Sequence, residues 1–310
     1  MIAFDHVSKR YGALNALQDI SFSVPKGQVL GLLGQNGAGK TTAMNILTGC
    51  LAPSSGSVAI GGKDVLLQPR EAKRMIGYLP EAAPVYDEMT VRAYLRFACE
   101  LKEVEKKAMN GHVEAVAEKT GLSDVLDRKI GNLSKGYRQR TGLAQAIIHS
   151  PDILILDEPT TGLDPNQIIE IRKLICDIGR EKTVILSTHI LQEVEAVCNR
   201  VLILNHGKIV AQGTPDSIRE QVQKDDRFTI EVAGSVDAQS LKALEPVSDI
   251  LSTEALDGKT VIKISAQKGT DAGALIFDWA VKNGYRLSAL VPEQTSLEDI
   301  FRKLTNQTGV

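Results

Sequence analysis

Long apolar runs are missing from this 310-residue chain. A helix needs about 18 or more consecutive apolar residues to cross a bilayer, and none occurs, so no membrane span is expected. The opening MIAFDHVSKRYG has no apolar run of the length that a secretory leader requires. Cysteine is scarce: Cys50, Cys99, Cys176 and Cys198 stand alone, with no C-x-x-C spacing. That excludes a cysteine metal site and a disulfide framework, and it suits a reducing cytosol. An excess of one charge is missing as well. The net charge is -2 with no basic stripe, so nothing points to nucleic acid as a partner. What is present is a hydrophobic fraction of 43%, enough to build the core of one large or two ordinary domains.

One stretch organises the rest. Gly34-Gln35-Asn36-Gly37-Ala38-Gly39-Lys40-Thr41-Thr42 fits G-x-x-x-x-G-K-[ST], the phosphate-binding loop. Val29 to Leu33 before it reads as a short buried strand. Met44, Ile46 and Leu47 after it begin a helical face that Gly49 and Pro53 end. The glycines let backbone N–H groups turn toward an anion, and the helix N-terminus adds partial positive charge. Lys40 would reach the β- and γ-phosphates of ATP, and the Thr41 hydroxyl would ligate Mg²⁺.

Around this loop the pattern predicts strands at 2–10, 17–24 and 57–60, a small antiparallel sheet beside the phosphate-binding core. Met75–Leu79 reads as a strand ending at Pro80-Glu81, and residues 82–89 as irregular chain. Thr90 caps a helix whose face is Val91, Tyr94, Leu95, Ala98 and Leu101. Residues 103–119 read as a charged helix broken by Gly121-Leu122, so about 82–149 is a mainly helical insertion. Ser134 caps a helix running through Leu143, Ala144 and Ile147, a second N-terminus able to face an anion.

The strand Ile153–Leu156 ends in Asp157-Glu158-Pro159. Such a strand delivers acidic groups to a metal site: Asp157 would hold Mg²⁺ and Glu158 would activate the attacking water. Thr161–Pro165 is a turn into a helix to about Ile178. Thr183–Ser187 is another buried strand, and His189 at its end is placed to reach a γ-phosphate. Val201–Leu204 and Ile209–Ala211 form a hairpin, and Thr214-Pro215 starts a helix in N-cap and N1 order. The charged run Lys224–Arg227 reads as a linker or domain edge. Beyond it lie strand 228–232, helix 237–244, strands 247–255 and 259–265, helix 270–283, strand 285–291 and helix 296–305. The clearest stripe is Ala272, Leu275, Ile276, Trp279 and Ala280. The order β-α-β-β-α-β is that of a small ferredoxin-like α/β unit, read as an accessory domain.

Taken together, these residues resemble the ATPase subunit of an ABC transporter, in order and spacing across residues 1–220. The resemblance implies an α/β P-loop NTPase with a RecA-like core, the antiparallel subdomain and the helical insertion, over 1–222; the accessory domain read from the pattern spans 227–310. It implies that Tyr11 stacks on adenine and that Leu133–Arg140 is the signature segment, with Ser134 and Gly136 touching phosphate. It makes Asp164 part of the dimer-contact loop, His189 the switch histidine, and Glu81 part of the Mg²⁺ environment. Two departures stand out. Glu81 occupies a position where the family usually has Gln, which loses an amide donor and adds charge. The signature reads Leu133-Ser134-Lys135-Gly136-Tyr137 where LSGGQ is usual, so contacts of the Gln side chain are not available from Tyr137. IGYLPE, LSKGYRQR and SLEDIFRKLT are similar to the exporter branch with gliding-motility and multidrug-type ATPases.

The expectation is therefore an ATP-hydrolysing subunit that powers a separate transmembrane permease from the cytoplasmic face of the membrane. It pairs with a second ATPase subunit, most simply a homodimer. Two alternatives remain at this level: a soluble, non-transport ABC ATPase acting on ribosomes or DNA, and a regulatory module with vestigial hydrolysis. The chain has one cassette, no long coiled coil and no basic stripe, and it keeps Lys40, Asp157, Glu158 and His189. Each of these weighs against the alternatives.

Overall fold

Two sheets in the first part of the chain explain where the phosphate loop sits. The computed structural model describes residues 1–222, 225–256, 258–293 and 296–306. They divide into two compact units, Met1–Pro215 and Asp216–Val310. In the first, β1 (Ile2–Tyr11) and β2 (Leu14–Val24) form an antiparallel hairpin, followed by β3 (Val29–Leu33) and α1 (Lys40–Leu47). Next come β4 (Ser55–Ile60), β5 (Lys63–Asp64), α2 (Pro69–Arg74) and β6 (Ile76–Leu79). The helical stretch holds α3 (Val91–Leu101), α4 (Met109–Thr120) and α5 (Lys135–Ile147). The chain then alternates: β7 (Ile153–Asp157), α6 (Pro165–Gly179), β8 (Thr183–Thr188), α7 (Leu191–Val197), and the hairpin β9 (Arg200–Asn205) and β10 (Lys208–Gly213).

The first sheet is antiparallel in the order β2-β1-β4-β5; the second runs β10-β9-β3-β8-β7-β6. In the second sheet β9, β3, β8, β7 and β6 are mutually parallel, with β10 antiparallel at one edge. Strands covered on both faces read as continuous apolar runs, and Val-Leu-Gly-Leu-Leu of β3 and Ile-Leu-Ile-Leu of β7 are buried throughout. One apolar cluster joins Ile2 and Ile60 of the antiparallel sheet, Ile46 and Leu47 of α1, and Leu30 and Ile155 of the parallel sheet. The helix behind the phosphate loop is thus held by both sheets.

Thr90 caps α3, accepting from Ala93 N at 3.2 Å, and Val91, Tyr94, Leu95 and Ala98 are buried as predicted. Leu101 is not part of that face; it is 66% exposed. The charged segment starts its helix later than the pattern suggests. The chain turns after α3 through Glu103, whose φ is +57°, and α4 begins only at Met109. Val104 N bonds back to Cys99 O, which closes the end of α3 before the charged residues can extend it. Two short helices, α2 and α7, have no counterpart in the pattern, being six and seven residues long.

From α8 (Pro215–Val222), whose first residue is the last of the first unit, the second unit continues with β11 (Asp225–Ala233), β12 (Val247–Leu256), β13 (Lys259–Gln267), α9 (Ala272–Lys282), β14 (Arg286–Glu293) and α10 (Leu297–Asn306). The sheet order is β12-β13-β11-β14, antiparallel at every pairing. Ile230, Ile262, Ile264, Ile276 and Trp279 form its core, while Leu275 of the predicted stripe is 41% exposed. The helix expected at 237–244 is a 3₁₀ turn, Ala238–Ala243. Asp237 accepts from Gln239 N, and Ser240 Oγ donates to Asp237 O; these local bonds compete with an α-helical ladder. Trp279 Nε1 donates to the same Ser240 Oγ at 3.0 Å and ties the turn to α9. Of the run read as a linker or domain edge, Lys224 lies outside the described residues. Asp225–Arg227 pair with Gln267, Ala266 and Ser265 as the start of β11.

Candidate functional site

A cavity of about 910 Å³ lies where the loops after β3, β7 and β8 leave the parallel sheet. The phosphate loop forms one wall, with Gln35, Asn36, Gly37, Gly39, Lys40, Thr41 and Thr42. Glycine is required at one position on two grounds. Gly39 has φ +107°, and a Cβ there would stand 2.6 Å from Ala16 O on β2. Gly34 is equally confined, since its Cβ would meet Leu204 O at 2.7 Å. The loop is thus clamped between β2 and the end of β9, and Gly207 N donates to Ala38 O at 3.0 Å from the following turn.

Lys40 is 6% exposed. Its Nζ donates to Gly34 O at 2.7 Å and to Gln35 O at 3.4 Å, and lies 3.7 Å from Glu158 Oε1. Glu158 sits on a left-handed backbone, φ +48°, an uncommon conformation for a residue with a side chain. Its N–H donates to Ser187 O at 2.9 Å, across from β8. Its Oε2 meets His189 Nδ1 at 2.9 Å and accepts from Thr161 Oγ1 at 3.5 Å. The Glu158 side chain is 10% exposed and that of His189 50%. The carboxylate is therefore held in a line from the ammonium of Lys40 to the imidazole of His189.

Asp157, the last residue of β7, is 2% exposed, and burial pushes its carboxyl above the ordinary carboxylate range. Its Oδ1 has no hydrogen-bond partner among the described residues. A buried oxygen in that state fits a hard cation or the water on one. Thr41 and Glu81 line the adjoining cavity, and with Asp157 they would offer oxygen ligands, the kind that Mg²⁺ prefers.

Tyr11 borders the same cavity at the end of β1, 48% exposed, with Lys9 Nζ 5.2 Å from its ring centroid. Ser134, Gly136 and Asp164 are not in the cavity wall and form a second group. Ser134 caps α5 and accepts from Tyr137 N at 3.5 Å; Asp164 caps α6 and accepts from Gln167 N at 2.9 Å. A Cβ on Gly136 would fall 2.5 Å from the Gln167 side chain, so the two helix starts abut. The cavity also includes Leu14, Gln18, Thr161 and His206, which the motif reading did not single out. Gln18 Nε2 donates to His206 O at 2.8 Å. Thr161 comes with Glu158 on the loop after β7, but no spacing reveals Leu14, Gln18 and His206, because two separate hairpins bring them to the loop.

Comparison with known proteins gives the following. The family described as ABC transporter matches residues 17–161, and a domain described as ATP-binding protein DrrA1-3-like, C-terminal domain, matches 213–305. The ABC transporter ATP-binding protein NatA of Bacillus subtilis (strain 168) is 36% identical over 73% of this chain and 94% of its own length. The Nod factor export ATP-binding protein I of Burkholderia thailandensis is 35% identical over 80% of this chain and 81% of its own. A solved ATP binding subunit of an ABC transporter superposes with a TM-score of 0.66 at 31% identity, covering 71% of this chain and 92% of that one. These likenesses do not support the non-transport alternative.

Proposed function

Because this chain belongs to the ATP-binding subunits of ABC transporters, we propose that it hydrolyses ATP with Mg²⁺ to drive a separate transmembrane permease that exports its cargo. The observation that carries the reading is the contact line Lys40–Glu158–His189 at the mouth of the phosphate loop. Water and ATP give ADP and phosphate, with one proton leaving the attacking water. Glu158 Oε2 takes that proton, and His189 Nδ1 beside it holds the carboxylate in place. Lys40 and the backbone N–H groups of the loop bind the phosphates, and Tyr11 stacks on the adenine. Thr41, Asp157 and Glu81 would hold Mg²⁺, which would supply positive charge against the charge developing on the phosphates.

Two copies of the chain close head to tail, so that Ser134 and Gly136 of one reach the ATP held by the other, and Asp164 lies in the contact. The permease docks by the segment 82–89. A cleft there is lined by Pro84, Tyr86, Tyr94, Phe97 and Leu101, and Tyr86 is 56% exposed, an aromatic suited to a protein contact. No helix among the described residues is long and apolar enough to cross a membrane, which fits a peripheral subunit on the cytoplasmic face. The relative named for Nod factor export supports the outward direction. A pull-down from detergent-solubilised membranes tests the proposal, beside phosphate release by the purified chain. A multi-spanning partner and Lys40-dependent release are expected; ribosomes or DNA in place of that partner would overturn it.

A further inference from the structure

Behind the cavity is a buried carboxylate that the mechanism above does not use. Glu193, in the first turn of α7, is 1% exposed. Thr160 Oγ1 donates to its Oε1, and Thr188 Oγ1 donates to its Oε2 at 2.7 Å. Both threonines are themselves buried, at 3% and 0%. Arg172 Nη2 of α6 stands 4.0 Å from Oε1. Thr160 lies two residues beyond Glu158, and Thr188 immediately precedes His189. One carboxylate therefore spans the loop that carries the proposed base and the strand end that carries its histidine.

The span matters because little else fixes the histidine. Its side chain is half exposed, so packing does not locate the ring. The backbone at Thr188 does, and the Thr188 hydroxyl also accepts from Ile190 N at 3.1 Å. On the other side, the strained backbone at Glu158 is followed by a tight turn, Thr161 N to Glu158 O at 3.2 Å, of which Thr160 is a part. Such a conformation persists only where its surroundings over-determine it. We infer that Glu193 is a positioning residue for hydrolysis: it holds Thr160 and Thr188 at a fixed separation, and so holds Glu158 against His189.

The inference rests on the roles proposed above for Glu158 and His189, and its test separates the two. Glu193→Ala removes both acceptors. A displacement of about 1 Å at a reacting group costs about 10²-fold in rate, so kcat is expected to fall about 30- to 100-fold. ATP affinity, set by the phosphate loop, should stay within about threefold of wild type. Glu193→Gln keeps the length and can serve both hydroxyls, since each can rotate to donate or accept; it should recover most of the lost kcat. Thr160→Val and Thr188→Val each cut one arm and should each lower kcat about tenfold, and Thr160→Val should add little in the Glu193→Ala background, because the arm is already gone. A merely structural role would lower the melting temperature while leaving kcat per folded site unchanged. If Glu193→Ala does not fold, the two near-isosteric valine variants decide. Turnover within threefold of wild type by Glu193→Ala, or by both valine variants, overturns the inference. Glu158→Gln is assayed beside them. Near-normal turnover there refutes the base assignment, whereas loss there with normal turnover by Glu193→Ala refutes the strut alone.

Discussion

Glu158→Gln removes one charge and one base from a site where each has a traceable consequence. The base first: positioned general-base catalysis contributes about 10²–10⁴-fold, or about 2.7–5.4 kcal/mol, so kcat should fall by that much. The charge acts through Lys40. The glutamate oxygen lies 3.7 Å from an ammonium that is 6% exposed. In the variant that ammonium keeps the carbonyls of Gly34 and Gln35 but faces a neutral amide in place of the anionic partner. Losing a charge-assisted partner of this kind costs about 1–2 kcal/mol, less than breaking a fully buried pair, because the carbonyls remain. The variant alone should therefore melt below wild type. ATP brings its own negative charge to Lys40 and meets less repulsion without the carboxylate. Saturation at about a hundred times Kd stabilises by about 2.7 kcal/mol, and tighter binding adds to this. The ATP-induced rise in melting temperature should thus be larger for the variant than for wild type. Held ATP should also trap two chains together. Phosphate release, thermal shift, and size-exclusion chromatography with light scattering read these outcomes, with Lys40→Ala as the monomeric, non-binding control. Turnover close to wild type, or an ATP shift no larger than wild type's, would refute the reasoning.

Four further outcomes are expected. Gly39→Ala should cost roughly 3 kcal/mol in a urea titration and abolish nucleotide binding, since its Cβ meets Ala16 O at 2.6 Å on a φ of +107°; a stable, ATP-binding variant would contradict the clamp. Glu81→Gln should keep hydrolysis within about tenfold, near 1.4 kcal/mol, while Glu81→Ala should uncouple transport from it; normal transport in reconstituted vesicles by Glu81→Ala would remove Glu81 from the coupling role. His149 is held down to about 4 by burial and then by Lys102, against an ordinary 6.5. Below pH 6.5 the unfolded chain takes a proton that the folded chain refuses, so this group's stability is full above 6.5 and is lost as the pH falls toward 4. The gap corresponds to about 3 kcal/mol at full burial and about 1–2 for a ring partly open to water; His149→Gln should flatten the urea midpoint between pH 6.5 and 4.5, and an unchanged slope would count against it. A chain ending near Val222 should bind ATP within about threefold of full length; loss of binding by a soluble, folded truncation would argue against two separate domains.

The parts of the site that are local in sequence could be read from it. Gly34–Thr42 is marked by its own glycines and the strand before it. Asp157 and Glu158 are marked by four apolar residues in a row, and His189 by the end of the next buried strand. Thr90 and Ser134 were legible as caps because a cap depends on the residue and the helix it starts. What escaped depends on distant partners. Glu193 looks like one more charge on a short helix until Thr160 and Thr188 are seen against it. Gln18 and His206 reach the cavity only because hairpins pair. Leu101 fits the helical period yet faces outward, since periodicity fixes a face but not how far along the helix that face stays covered. The stretch at 237–244 has helical spacing, but Asp237 and Ser240 divert its backbone into a 3₁₀ turn.

The strand order also sets a clock on synthesis. Val29 pairs with Val184 and Leu30 with Arg200, so both neighbours of the strand that carries the phosphate loop are made long after it. At about 5–20 residues per second, the apolar segment Val29–Leu33 waits about 10–40 s on the ribosome before the sheet can close around it. During that interval the edges of the strand are open to other chains. A ribosome that stalls within the helical stretch releases a product with every phosphate-loop residue present and no sheet to hold the loop. Slow translation between α3 and β8 should therefore lower the yield of active protein more than slow translation beyond β10, whatever the stability of the finished chain.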